Sequence, residues 1–349
     1  DTKIALQGTY KFAPTFSLTS QLMTKFDANG QYTPNIEWMF GKWQALPSVT
    51  LRAGRMGAPF FMVSDFRDVG FANTAVRPNL DVYGQVPFSS FDGLDAAHQT
   101  SFGPMTLTST FWTGTAKSKY TSAMYSGGTP ADAVELTLKK TVGLNFVAEL
   151  DNGLTFRAGH AQGKLTSISA SAAKVITAAN GADQLSSSLS STQAQEVALA
   201  LTNSDSKASF TGLGMMYDQN DIVLAAEFTK RKNKSGYIAD TKGWYAMGGY
   251  RFGSVLPYVS VSRLTTVDPN VSISTSTLNT FGGVAAAAAN PASPSFSPTL
   301  AAAAGGAYYG AQAILNTQKQ SQNTISGGVR WDVQSGLALK AQFDHVNVP

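Results

Sequence analysis

The chain reads as an all-β protein, a transmembrane antiparallel β-barrel, and three observations carry that reading. Segments of about ten residues alternate apolar and polar side chains from one end to the other, the length a strand needs to cross a bilayer. Short turns and longer polar connections separate these segments in strict alternation. Charged residues make up 14% of the chain against 43% hydrophobic, yet no stretch of about eighteen apolar residues offers a transmembrane helix. A chain compatible with a membrane but without membrane helices must satisfy its backbone by closing a sheet.

Residues 3–12 set the period. Ile4, Leu6, Tyr10 and Phe12 share one face, and Lys3, Gln7, Thr9 and Lys11 share the other. The same alternation returns at 221–231, where Ile222, Leu224, Ala226 and Phe228 oppose Glu227, Thr229 and Arg231. It returns again at 324–333, with Ile325, Val329, Trp331 and Val333 against Thr324, Ser326, Arg330 and Asp332. One greasy face and one charged face suit a wall with lipid outside and water inside.

Turn chemistry divides the rest. Ala13-Pro14-Thr15, Leu46-Pro47-Ser48, Phe102-Gly103-Pro104, Asp151-Asn152-Gly153, Asp218 to Asp221, Gly253 to Val255 and Asp332 to Gly336 are tight reversals. Longer connections lie at about 27–34, 58–92, 115–132, 166–207, 232–242 and 266–322. About fourteen strands result, at 3–12, 16–26, 34–45, 48–57, 93–102, 105–114, 134–150, 154–165, 208–217, 221–231, 243–252, 255–264, 324–333 and 337–347. The whole of 1–349 is a single barrel domain on this reading, with short turns on the periplasmic side and 166–207 and 266–322 as long extracellular loops. Trp38, Trp43, Phe102, Trp112, Trp244, Phe252 and Trp331 fall near strand ends and are expected to form interfacial girdles. The Ser/Ala/Thr-rich stretch 168–206 and the alanine runs of 284–306 read as mobile external loops, with a short helix conceivable at 307–319.

The connection at 58–92 is different in kind. It carries Phe60, Phe61, Phe66, Phe71 and Tyr83, and a loop with that many aromatic rings packs against something. Folded into the lumen, it would rest on the barrel wall and present Asp65, Asp68 and Asp81 to a narrowed channel, with Arg67 and Arg77 as its own cations. Inward strand positions would face them with Arg52, Arg157, Arg231, Arg251 and Arg330, and with Lys25 and Lys340 as outer members. Opposed carboxylates and guanidinium groups set up a transverse field that screens solutes by charge.

The passage GRMGAPFFMVSDFRDVGFANTAVRP at 54–78, after the strand SVTLRAGR, resembles the start of the constriction loop of proteobacterial outer-membrane porins. The sharp similarity covers about 48–93, and the general pattern extends over the chain. The resemblance implies sixteen antiparallel strands, a third external loop folded inward, and a homotrimer. It also implies an integral outer-membrane location with membrane lipid and lipopolysaccharide as surroundings. In that register the visible strands run from second to fifteenth. The start at Asp1 reads as a mature or trimmed form, and the end at Asn347-Val348-Pro349 rather than at an aromatic residue reads as truncation, the alternative being a barrel that closes with fourteen strands.

Other chemistries find no support in the residues. There is no Cys, and the three histidines, His98, His160 and His345, each sit inside a predicted strand. No metal-ligand spacing, P-loop or nucleophile elbow is present, so no catalytic residue, metal or cofactor is assigned. Asp218 to Asp221 reads as a turn rather than a calcium loop. A net charge of +4 from dispersed cations argues against nucleic acid. The expected function is therefore a water-filled channel passing small hydrophilic solutes and ions by diffusion, with weak anion preference and no enzymatic step. The alternatives are a substrate-specific organic-anion channel and a structural or adhesive surface barrel.

Overall fold

The computed structural model describes residues 2–26, 31–121, 133–270, 272–317 and 321–348. Parts of the expected connections at 27–34, 115–132 and 266–322, together with Asp1 and Pro349, lie outside the described residues. Fourteen strands form one sheet in chain order: β1 (Lys3–Ala13), β2 (Phe16–Phe26), β3 (Tyr32–Leu46), β4 (Val49–Gly57), β5 (Ser90–Phe102), β6 (Met105–Thr121), β7 (Ala133–Leu150), β8 (Leu154–Ser169), β9 (Asn203–Gln219), β10 (Ile222–Asn233), β11 (Asp240–Tyr250), β12 (Val255–Asp268), β13 (Gln322–Gln334) and β14 (Leu337–Asn347). Each strand pairs antiparallel with its neighbour in sequence, and among the described residues β1 and β14 are not paired with each other. Every expected strand is present. The differences lie at strand ends, where β6 runs seven residues past the expected Gly114 and β9 begins five before Ala208.

The two faces separate as the alternation requires. Ile4, Leu6, Tyr10, Phe12, Leu224, Phe228, Ile325 and Trp331 are exposed on the outer face. Val223, Ala225, Glu227 and Thr229 of the same β10 are buried on the inner one. A continuous outer belt of large apolar side chains is the surface of a transmembrane barrel. Two expected girdle members belong to the inside instead. Trp112 is 1% exposed beneath Phe60 and Phe91, and Trp38 stands beside Gly57 against the loop at 58–92. Their parity decides this, since Trp112 opposes inward Asp95 and Trp38 opposes inward Gln21 across a bulge.

The short turns close as hairpins of the kind right-handed strand twist favours. Asn220 and Asp221 both take positive φ, 51° and 63°, which the β9–β10 reversal needs and which short polar residues tolerate.

The Ser/Ala-rich connections are helices, contrary to the expectation of mobile loops. They form α2 (Ala170–Leu185) and α3 (Ser191–Leu201) after β8, and α4 (Thr275–Ala289) and α5 (Pro298–Thr317) after β12; α1 (Leu80–Tyr83) lies in the inner loop. Alanine has the highest helix propensity, and serine caps: Ser190 and Gln193 make a reciprocal capping box, and Ser274 accepts from Thr277 N. Small residues let the helices approach, with Ala179, Ala182, Ala304, Ala307 and Ala311 all essentially inaccessible. Glu196 on α3 accepts from the Ser274 amide and hydroxyl and from Thr277, tying α3 to the start of α4. Burial works against its ionisation, but these bonds hold its carboxyl below the usual range. α2 thus packs on α3 and α5, α5 on α4, and α2 lies against β8.

Candidate pore constriction

After Gly57 the chain leaves β4 and turns into the lumen, and aromatic packing fixes its first half. Phe60 meets Trp112 edge-on at 5.4 Å and Phe210 at 5.6 Å. Phe61 stacks on Tyr83 at 4.4 Å and meets Phe210 at 5.1 Å. This cluster presses the loop on the inner wall formed by β6 to β9. The glycines opposite make room, for a Cβ at Gly212 would stand 3.3 Å from the Phe60 carbonyl. The irregular backbone is satisfied from the wall, where Met62 N donates to Glu227 at 3.0 Å, and from within the loop, where Val63 N donates to the Tyr83 hydroxyl at 3.2 Å.

The second half is latched by α1 and the residues around it. Asp81 is 1% exposed and accepts from the Ser262 hydroxyl at 2.6 Å and from the Gln322 amide. Gln85, also buried, donates to Thr229 Oγ1 at 2.8 Å and accepts from Thr241 Oγ1 at 2.9 Å. Its carbonyl receives Arg231 Nη1 at 2.6 Å. Ser118 closes the series by donating to Pro87 O at 2.8 Å.

The middle of the loop, 66–78, is held at both edges of the sheet. Asp68 bonds Lys3 of β1 at 2.6 Å and Lys25 of β2 at 3.2 Å. Burial alone would raise the Asp68 carboxyl, but Lys25, Lys3 and Arg67 outweigh it and hold it at about 2. On the other side Arg77 bonds Asp344 of β14 at 2.7 Å. Lys340 donates to the carbonyls of Gly70 at 2.6 Å and Ala75 at 3.2 Å, and Arg330 donates to Phe71 O at 2.9 Å while lying 5.0 Å from the Phe71 ring centre.

The expected site residues are therefore brought together, but in a different pattern from the expected one. Arg157 donates to Pro59 O, Arg231 to Gln85 O and Arg330 to Phe71 O, so these wall arginines grip the loop's main chain rather than facing its carboxylates. A guanidinium with five donors seeks acceptors, and a loop with little regular structure offers free carbonyls. Asp81 is turned into the wall and does not face a channel. Arg52 is bound to buried Asp95 at 3.0 Å through Nε. Arg251 follows the last residue of β11 and pairs with Asp218 at 2.7 Å at the short-turn end, away from the loop. Asp92 belongs to β5, faces outward and pairs with Arg55 at 2.7 Å. Asp65 remains exposed within electrostatic reach of Arg52 and Arg157, and Arg67 donates weakly to Phe88 O at 3.4 Å.

Two openings flank the loop. A polar crevice gathers Asp65, Arg67 and Asp68 opposite Gln21, Glu37 and Trp38. A cavity of about 120 Å³ lies between Asn73, Arg77 and Tyr83 of the loop and Met216, Tyr217 and Tyr258 of the wall. Gln85 and Asp95 carry no sign of an anchoring role in the sequence, and Glu227 stands there only as a polar member of the alternation at 221–231.

No protein-family model matches the sequence, and no curated protein sequence matches it. Solved structures do. OmpT of Vibrio cholerae, an outer membrane protein folded in vitro, superposes at a TM-score of 0.51 and 8% identity, covering 99% of this chain and 79% of that one. OmpF of Salmonella typhi, solved with daunomycin, gives 0.51 at 12% identity, covering 98% and 81%. The fold is that of the outer-membrane porins. The outer membrane channel DcaP of Acinetobacter baumannii gives 0.50 at 7% identity over 99% of this chain and 79% of its own. In this fold the loop between β4 and β5 enters the lumen.

Proposed function

We propose that the protein is an outer-membrane porin that passes small hydrophilic solutes and ions by diffusion, with the 58–89 loop setting the constriction. The observation that carries the reading is the combination of an apolar outer belt with a lumen crossed by a loop latched at both its ends and its middle. Wall cations and loop carboxylates meet in one layer there, which is where selection by charge operates. The preference is weakly for anions, because Asp68 is matched by two lysines and Arg157 bonds a neutral carbonyl, whereas Arg330 shares its charge with Asp332 at 2.8 Å. It fades as salt shortens the screening length. Assembly as a trimer is part of the proposal, through the arc from β13 across β14 and β1 to β3, whose outer face is apolar with Phe343, Ile4 and Ile36.

Single-channel recording in a salt gradient tests this. Replacing Arg157 and Arg330 by Gln moves the reversal potential toward cations, and replacing Asp65 and Asp68 by Asn moves it the other way. Unchanged selectivity in both, with unchanged conductance after deletion of 60–88, would remove the loop from the conduction path.

A further inference from the structure

Above the apolar belt, at the long-loop end, the outer face of β7 to β12 carries a row of cations. Lys139, Lys164 and Lys207 are direct cross-strand partners on three successive strands. Lys230 opposes Lys242 in the same way, and Arg263 opposes Trp244 on the next strand. Their orientation follows from their neighbours, since Leu138, Leu165, Thr229 and Ser262 are buried toward the interior while Phe228 and Trp244 are exposed on the cations' own face. Lys230, Lys242 and Arg263 each stand two residues beyond Phe228, Trp244 and Val261, about 6–7 Å along the strand, the level at which hydrocarbon gives way to headgroups.

Like charges placed directly across a pair of strands repel. Among the described residues none of these six cations is in an ion pair; the neighbouring Lys119 has one, with Glu135 at 3.4 Å, and Asp205 accepts from Thr166 Oγ1 at 3.3 Å. The opposite arc carries no such row: the outer faces of β13, β14, β1, β2 and β3 show no Lys or Arg among the described residues. A band of unneutralised cations at the long-loop end, and on one arc only, is complementary to a sheet of phosphate groups.

We propose that this arc is a docking surface for phosphorylated lipid headgroups of the leaflet on the long-loop side, the phosphates inserting between Lys139, Lys164 and Lys207 and between Lys230 and Lys242. The arc then faces lipid rather than a neighbouring subunit. The inference rests on the membrane location alone and is independent of what the lumen conducts.

The test uses the purified full chain in zwitterionic detergent, titrated with bisphosphorylated lipid A and with the same lipid after phosphatase treatment. Bound lipid is counted by native mass spectrometry and followed by Trp244 fluorescence. Binding of the phosphorylated lipid should be at least about tenfold tighter and should weaken as salt rises. The variant K164S/K207S/K230S/K242S should lose that discrimination while keeping its single-channel conductance. Equal affinity of the wild-type chain for both lipids overturns the proposal whether or not the variant folds. Retained discrimination in a folded variant overturns it too, by placing the phosphates elsewhere.

Discussion

Gln85 is the residue whose removal should most directly loosen the loop without touching its charge. In Gln85→Ala the barrel wall loses the amide that donates to Thr229 Oγ1 at 2.8 Å and to Asp81 O at 3.0 Å, and that accepts from Thr241 Oγ1 at 2.9 Å. Thr229 retains its own bond to Gly243 O at 3.2 Å, whereas Thr241 is left with a buried hydroxyl and no acceptor in its place. At about 1 kcal/mol per neutral bond the latch weakens by about 2–3 kcal/mol. That corresponds to a roughly thirty- to 150-fold rise in the population of the detached loop. Recordings of single channels in planar bilayers read this as faster current fluctuation and a larger mean conductance, with the ion selectivity little changed. The aromatic cluster of Phe60, Phe61 and Phe210 remains, so the loop stays within the barrel. If Gln85→Ala gives traces indistinguishable from the wild type while heat-modified mobility on gels shows a folded barrel, then the second half of the loop is not held by this latch and the assignment is wrong.

Further perturbations read other parts of the structure. Asp68 ionises at about 2 in the folded chain against the ordinary carboxylate value of 3.8, so its hold on Lys3 and Lys25 is complete above pH 4 and is lost as pH falls through 2; conductance should step within that window, and Asp68→Asn should abolish the step. Leu224→Arg places a cation in the lipid-facing belt and should destabilise the barrel by about 2–4 kcal/mol in urea unfolding from vesicles, while Glu149→Gln on the inner face should not. Gly143→Ala drives a methyl group into the Trp112 ring, which Phe60 and Phe91 prevent from moving, and should lower the unfolding temperature and weaken the loop's seat together.

The barrel was legible because its two faces see different solvents. A period of two over ten residues, as at Ile222 to Arg231, has no other stable setting, and every expected strand formed. The burial of Phe60, Phe61 and Tyr83 has a related cause, since these rings had to be covered. The partners of individual charges were not legible. Arg157, Arg231 and Arg330 point inward as parity demands, but parity does not reveal that they reach carbonyls of a chain segment 98, 146 and 259 residues away in sequence. Asp81 is buried because Ser262 and Gln322 stand opposite α1, a juxtaposition created only when the loop crosses the lumen. The helices α2 to α4 and the first half of α5 were missed for a local reason, only the stretch from 307 having been read as helical: Ser, Ala and Thr in bulk look like a linker until serines fall at caps and alanines at a shared face.

The grip on the loop through its main chain has an evolutionary side. Arg157, Arg231, Arg330 and Lys340 read carbonyl oxygens, which every residue type supplies, so most loop side chains are not what these anchors recognise. Substitution at Asp65, Phe71 or Val76 leaves those four attachments chemically intact. A channel built this way can exchange the groups lining its narrowest section one at a time and retain the path of the chain that displays them.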